Sequence, residues 1–174
     1  MIDQFATHVP YLAAAAALVS VREDEPRIIE LGAGEYSTPM LHAIVAACGG
    51  GLLTLDNSDK WLADYADLAK HFHELRVVSD WAGVSEIDEP WDLAFVDHAP
   101  AERRWRDVVR LAKSAAIVVV HDTEPFTAYG FDQARPEFRY VETCKRWRTW
   151  TSICSNEIDV TGFGAIGAPI GGEL

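Results

Sequence analysis

Sulfur is scarce in this chain. Three cysteines, Cys48, Cys144 and Cys154, occur among 174 residues, and no two form a CxxC pair. The odd count and the spacing exclude a disulfide framework or a paired-cysteine zinc site as the organising feature. Reduced thiols in a cytoplasmic protein are the expectation. A membrane span is missing too. The apolar run Tyr11 to Val19 is too short to cross a bilayer, and Asp3 stands where a signal peptide carries lysine or arginine. The run reads as an alanine-rich helix ending near Arg22 to Pro26. Basic charge is also in short supply: 15 Lys and Arg face 27 Asp and Glu, a formal net charge of −12. Such a surface repels phosphate backbones, so nucleic acid is not an expected partner. It mildly favours a cationic ligand, although most acidic charge only keeps proteins soluble. Internal repeats and dividing linkers are absent.

What remains suits one domain with one core, since apolar residues make up 49%. Residues 1–25 form the helical N-terminal segment, 26–160 the sheet core and 161–174 a glycine-rich, loosely ordered tail. Apolar runs and helical patterns alternate through the core. Arg27 to Leu31 is a strand running into Gly32-Ala-Gly34. A helix follows from Pro39 to Ala47, with Thr38 placed to cap it. Leu52 to Leu55 is the second strand, and Asp59 to Phe72 has helical spacing. Leu75 to Ser79, Trp91 to Val96 and Ala115 to Val120 are three further strands, the last continuously apolar and β-branched. Pro100 to Lys113 is a charged helix between the last two. Phe138 to Lys145 and Thr149 to Ser155 form an antiparallel pair closing one edge. The fold class is therefore α/β. It is a doubly wound, Rossmann-like, mostly parallel seven-stranded sheet with a C-terminal antiparallel hairpin, in three α/β/α layers.

Five consecutive strands end in an acid or histidine: Glu30 with the glycine turn, Asp56, Asp80, Asp97-His98 and His121-Asp122. One such ending means little, because Asp commonly opens loops. Five in register point to the crevice beyond the carboxyl ends of a parallel sheet, where ligands bind. Gly32 allows the sharp turn and Gly34 a close ligand approach, and the following helix directs free N–H groups at the site. Asp56 lies where an acid binds ribose hydroxyls. Together these describe an adenosine-like ligand, either a dinucleotide or S-adenosylmethionine. Ser37 stands where the dinucleotide pattern needs a third Gly or Ala, and a pyrophosphate would not welcome Glu30.

Glu30-Leu-Gly-Ala-Gly34 with Glu35-Tyr-Ser-Thr38 resembles motif I of class I S-adenosylmethionine-dependent methyltransferases. Trp91 to His98 and Val118 to Thr123 are similar to the fourth- and fifth-strand endings of the catechol-type O-methyltransferases and their small bacterial relatives. The resemblance spans roughly Pro26 to Ser155. It implies a cofactor site of Glu30, Gly32, Ala33, Gly34, Glu35, Ser37, Asp56, Asn57, Asp80, Trp81 and Asp97. In it Asp56 holds the ribose, Asp80 meets the adenine amino group and Trp81 packs on the ring. In the catechol-type branch a divalent metal, Mg2+, lowers the acceptor's pKa. The resemblance makes Asp97 and Asp122 two of its oxygen ligands, while Thr123 replaces the usual third, Asn or Asp. Without metal, His98 or His121 would serve as general base. The catalytic candidates are thus Asp97, His98, His121 and Asp122.

The expected function is in-line methyl transfer from S-adenosylmethionine to a small-molecule acceptor, an oxygen. A non-catalytic S-adenosylmethionine-binding module and an NAD-binding domain are the alternatives. His71 and His73, in a helix pattern, read as solvated. The helix carrying Arg103, Arg104, Arg106 and Arg110 reads as a solvated face, since Glu102 and Asp107 sit at pairing distance. Trp147 and Trp150, among Lys145, Arg146 and Arg148, read as edge-strand packing rather than a stacking platform. The segment Thr7 to Pro10, the stretch Glu124 to Pro136 or a second subunit is available to cover the site.

Overall fold

The computed structural model describes residues 6–166. The elements run α1 (Val9–Arg22), β1 (Arg27–Leu31), α2 (Ser37–Cys48), β2 (Gly51–Asp56), α3 (Asp59–Ala63), β3 (His73–Val77), β4 (Trp91–Val96), α4 (Ala101–Leu111), β5 (Ala115–His121), α5 (Phe131–Ala134), β6 (Tyr140–Cys144) and β7 (Thr151–Ser155). The seven strands form one sheet in the order β3-β2-β1-β4-β5-β7-β6. β1 to β5 are parallel to one another, while β7 runs antiparallel to β5 and to β6. The expected seven-stranded α/β sheet with its closing hairpin is present.

Strand alternation decides the layers. Ile28, Leu52, Leu93, Phe95, Ile117 and Val119 face one side, where they pack with Tyr11, Leu12 and Val19 of α1 and Leu41 and Val45 of α2. Ala15 and Ala16 of α1 are fully buried, and side chains this small let the helix lie close to the strands. Ile29, Leu31, Leu55, Ala94, Val96, Val118 and Val120 face the other side, against Val108 and Leu111 of α4 and Phe131 of α5. Each fully buried aliphatic side chain contributes about 1.5–3 kcal/mol, and a one-residue slip would turn every one of them to the wrong face. The register is thereby pinned. Leu31 pairs with Leu55 on one side and Val96 on the other, so Asp56 and Asp97 emerge at one level beside the glycine turn. The strand order reverses between β1 and β4, which opens the crevice there.

Several local expectations are corrected. Thr38 does not cap α2; the helix starts at Ser37, and its N-cap Tyr36 makes no side-chain cap. The Thr38 hydroxyl turns instead to the glycine loop and Glu30. Helix does not fill 59–72: α3 ends at Ala63, and a 3-10 turn, Ala66–Leu68, follows. The chain must be extended by His73, which pairs with Leu52 and opens β3 two residues earlier than expected. His73 is buried, not solvated. In the tail, Thr161–Ala165 is a 3-10 turn, and Phe163 and Ile166 pack against the core where loose order was expected. Residues 167–174, the rest of that expected flexible tail, lie outside the described residues. No helix among the described residues is long and apolar enough to cross a membrane.

Candidate active site

Gly32 has φ +95, and a Cβ there would stand 2.7 Å from the Asp97 carbonyl carbon and the His98 nitrogen. Glycine is thus required for β1 to pass β4 at this point. Asp56 ties the loop down from the other side: its Oδ2 accepts from Ala33 N at 2.9 Å and its Oδ1 from Ser58 N at 2.8 Å. Burial raises the Asp56 pKa despite these backbone donors. The Trp61 indole N–H donates to Ala33 O at 2.7 Å and completes the clamp.

Glu30 is fully buried beneath the loop. Its Oε2 accepts from Thr38 Oγ1 at 2.9 Å and Thr54 Oγ1 at 2.8 Å, and Thr38 in turn accepts from Gly34 N. Burial outweighs these hydroxyl donors, with Ser37 among them, and pushes the Glu30 pKa up to about 7. Thr54 also meets His73 Nε2 at 3.0 Å, and His73 Nδ1 meets His42 Nδ1 at 3.0 Å. With Thr54 donating to Glu30, His73 must donate through Nε2, and His42 must donate to His73 Nδ1. Burial, then the neighbouring His42, lowers the His73 pKa to about 4.

Beyond the loop, a cavity of about 770 Å3 is lined by His8, Ala33, Gly34, Glu35, Tyr36, Trp61, Asp97, Arg104, His121, Asp122, Tyr129, Arg148 and Thr149. Here the ends of β4 and β5 meet. His121 Nδ1 lies 3.2 Å from Asp97 Oδ2, and its Nε2 lies 2.7 Å from Thr149 Oγ1 and 3.0 Å from Thr7 Oγ1. Burial alone would lower the His121 pKa, but the hydrogen bond and charge of Asp97, with Asp122, outweigh it and the pKa is raised. Asp97 moves the opposite way: burial opposes its charge, yet His121 and Arg104 hold its pKa down.

Arg104 organises this corner. It is 4% exposed. Its Nε donates to His98 O at 3.1 Å and its Nη1 to His121 O at 3.2 Å. Its Nη2 lies 3.1 Å from Asp97 Oδ1 and its Nη1 3.3 Å from Asp122 Oδ2. The Tyr129 ring covers the guanidinium at 4.2 Å. Asp122 sits at φ 58, a left-handed conformation uncommon outside glycine. The expected solvated face of α4 is corrected at Arg104 and at Asp107, which is fully buried. Arg104, Asp107, Val108 and Leu111 share one helical stripe, and that spacing was the available signal for an inward face.

Twelve of the expected site residues separate into two groups, while Asn57 and Asp80 are exposed. Ala33, Gly34, Glu35, Asp97, His121 and Asp122 share the cavity wall. Glu30, Gly32, Ser37, Asp56, His98 and Trp81 support that wall from beneath, all buried or nearly so. His98 Nε2 donates to Asp107 Oδ2 at 3.1 Å, and its ring packs at a tilt against Trp81, centroids 4.2 Å apart. Burial lowers the His98 pKa against the pull of Asp107. Trp81 donates to Ala99 O at 2.8 Å, and Asp80, exposed, caps Ala82 N at 2.9 Å. Asn57, exposed, follows β2. The sequence reading missed Arg104, Tyr129, Thr149 and Trp61 as site residues.

The oxygen-ligated Mg2+ implied for Asp97 and Asp122 does not fit. Arg104 pairs with Asp97 Oδ1 and Asp122 Oδ2, the oxygens of the two carboxylates that a shared Mg2+ would need. Thr123, in the third ligand position, is buried, and its hydroxyl accepts from Ser152 Oγ at 2.8 Å. A second cavity, also of about 770 Å3, lies around Arg27, Gly50, Glu74, Arg76 and Trp91 at the opposite end of the strands. Some of its charges pair with one another, as in Arg27–Glu89 and Arg76–Glu86.

No protein-family model and no curated protein sequence matches the chain. Solved structures do share its fold. A candidate O-methyltransferase from Klebsiella pneumoniae superposes with a TM-score of 0.63 at 18% identity, over 87% of this chain and 80% of that one. The Bacillus cereus O-methyltransferase, solved with S-adenosylhomocysteine, gives 0.60 at 17% identity over 83% and 80%. A Podospora anserina methyltransferase bound to S-adenosylhomocysteine gives 0.57 at 14% identity over 89% and 88%. The chain shares the fold of these methyltransferases.

Proposed function

We propose that this protein binds S-adenosylmethionine over its glycine loop and methylates a small-molecule acceptor, through oxygen. One observation carries the reading: the glycine-loop residues Ala33, Gly34 and Glu35 line the same cavity as Asp97, His121 and Asp122. The residues fit such a ligand. The cavity is within the usual size range for small-molecule sites, and its carboxylates suit a cation. Bound S-adenosylmethionine supplies an electrophilic methyl group on a sulfonium.

The chain's own residues do the rest. Asp56 holds the loop through one lone pair on each oxygen and keeps others for ribose hydroxyls. In its basic form His121 keeps its Nδ1–H on Asp97 and turns the Nε2 lone pair toward Thr149 on the cavity wall. An acceptor hydroxyl delivered there loses its proton to Nε2, through Thr149. Such a base contributes about 10²–10⁴ in rate. A non-catalytic binding module is the second reading, favoured by one feature: His121 and both carboxylates already have protein partners.

Thermal unfolding with and without ligand tests binding. S-adenosylmethionine or S-adenosylhomocysteine at 100 times its Kd should stabilise the fold by about 2.7 kcal/mol. No shift with either would refute both readings, and a shift with NAD alone would favour a dinucleotide domain. Labelled-methyl transfer to phenols, carboxylates and amines then separates enzyme from module. Binding without turnover across all three would favour the module.

A further inference from the structure

His8 has no role in the scheme above, yet it is 3% exposed in the cavity wall. Neither ring nitrogen has a hydrogen-bond partner among the described residues. A buried polar group left so loses about 1–3 kcal/mol of lost hydration. Its ring stands edge-on to His121, centroids 4.7 Å apart, and packs on Phe95 at 4.9 Å. One donor atom each from His8, Asp97 and His121 falls within a mutual distance of 4.8 Å.

We propose that His8, Asp97 and His121 form a site for a transition-metal dication, Zn2+ or its Co2+ and Fe2+ counterparts. This rests on the methyl-transfer reading only for the identity of the cavity. The donor set is two imidazoles and one carboxylate, which suits borderline metals rather than magnesium. The ion would replace the proton between His121 Nδ1 and Asp97 Oδ2, which lie 3.2 Å apart. That separation already matches the roughly 3.3 Å between donors in a tetrahedral site with bonds near 2.0 Å. His8, unbonded through its ring, would swing in to close the third edge.

The surroundings are those of a metal-binding pair. A ligating histidine usually donates its second N–H to an oxygen; with the metal on Nδ1, the Nε2–H of His121 would face Thr149 and Thr7, and the metal-loaded site would no longer use Nε2 as a base. Arg104 holds Asp97 by Oδ1 and leaves Oδ2 for the metal. All three ligands line the cavity, so the remaining coordination positions would open toward a bound acceptor.

The test uses the untagged full chain after chelator treatment, titrated with Co2+. One equivalent should give ligand-field absorption in the visible, removed by Zn2+ and unaffected by equimolar Mg2+. H8Q and D97N should each weaken Co2+ binding at least about 100-fold, and T149V about tenfold. H71A, at an exposed position, should leave it unchanged. Circular dichroism and the S-adenosylmethionine-induced thermal shift, run on every variant, show whether the fold and the cofactor site survive. A silent wild-type spectrum overturns the metal site, as does a spectrum that persists in folded H8Q. A metal-silent protein that still shifts with S-adenosylmethionine loses only this proposal. One that binds Co2+ but ignores the cofactor loses only the methyl-transfer reading.

Discussion

Glu30 and His73 share the Thr54 hydroxyl and titrate in opposite senses. His73 is lowered to about 4 by burial, so the folded state refuses a proton that the unfolded state accepts below about 6.5. Its contribution is therefore full above pH 6.5 and is lost as pH falls toward 4. Glu30 is raised to about 7 by burial, so the folded state keeps a proton that the unfolded state releases above about 4.5. Its contribution is full below pH 4.5 and is lost as pH rises through about 7. Each shift spans about 2.5 units, or roughly 3 kcal/mol over the same interval. The two nearly cancel in the wild type. H73Q keeps a donor toward Thr54 and removes one titration, so its stability should rise relative to wild type by about 3 kcal/mol between about pH 7.5 and 4.5. E30Q should fall by a similar amount over that range, and the double variant should track the wild type. Urea unfolding at the two pH values measures this as a difference of differences, which cancels every other titrating group. If H73Q and wild type share one pH dependence, His73 is not held neutral and the tautomer chain from His42 to Glu30 is wrong.

Three further outcomes are expected. G32A should destabilise by about 3 kcal/mol or prevent folding, through a positive φ and a Cβ only 2.7 Å from the Asp97 backbone, as read by denaturant midpoint. D107L should cost about 3–5 kcal/mol in the same assay, because it strands buried His98 and unpairs Arg103. D56A should weaken S-adenosylmethionine binding about tenfold or more in calorimetry while D56N loses less, since the amide still accepts from one backbone donor; unchanged affinity in D56A would remove the ribose site from Asp56.

The sheet was legible because its signal is local. β1 and β4 fall where the apolar runs Arg27–Leu31 and Trp91–Val96 stand, each stopped by a glycine or an acid. The cavity wall was partly legible for the same reason, since in-register parallel strands carry their last residues to one rim. Arg104 was not. Four arginines with Glu102 and Asp107 at pairing distance look like a solvated face, and only the stripe that Arg104 shares with Val108 and Leu111 marks it as the one turned inward. His73 escaped because the preceding stretch has helical spacing, while its fate is set by pairing with Leu52, 21 positions earlier in the chain. His8 carries no motif. Its place depends on α1 packing beside α2 and over β4 and β5, a long-range event that no local pattern encodes.

Charge at the cavity rim bears on the choice of ligand. Asp97 and Asp122 carry two negative charges, and Arg104 returns one positive. Leaving the histidines aside, these three groups carry one net negative charge, and Glu35 adds another on the same wall. Asp122 is held in its left-handed conformation, about 1–2 kcal/mol above an ordinary one, with its carboxylate against Arg104. A dinucleotide would bring a doubly charged pyrophosphate toward this wall. Two like charges at 4 Å repel by about 4 kcal/mol at the effective dielectric of a protein surface. A sulfonium reverses the sign of that interaction. The same excess charge favours a dication between His121 and Asp97, so S-adenosylmethionine and a metal ion would compete electrostatically for one wall. Each should therefore weaken the other's binding by the same factor, as linkage requires.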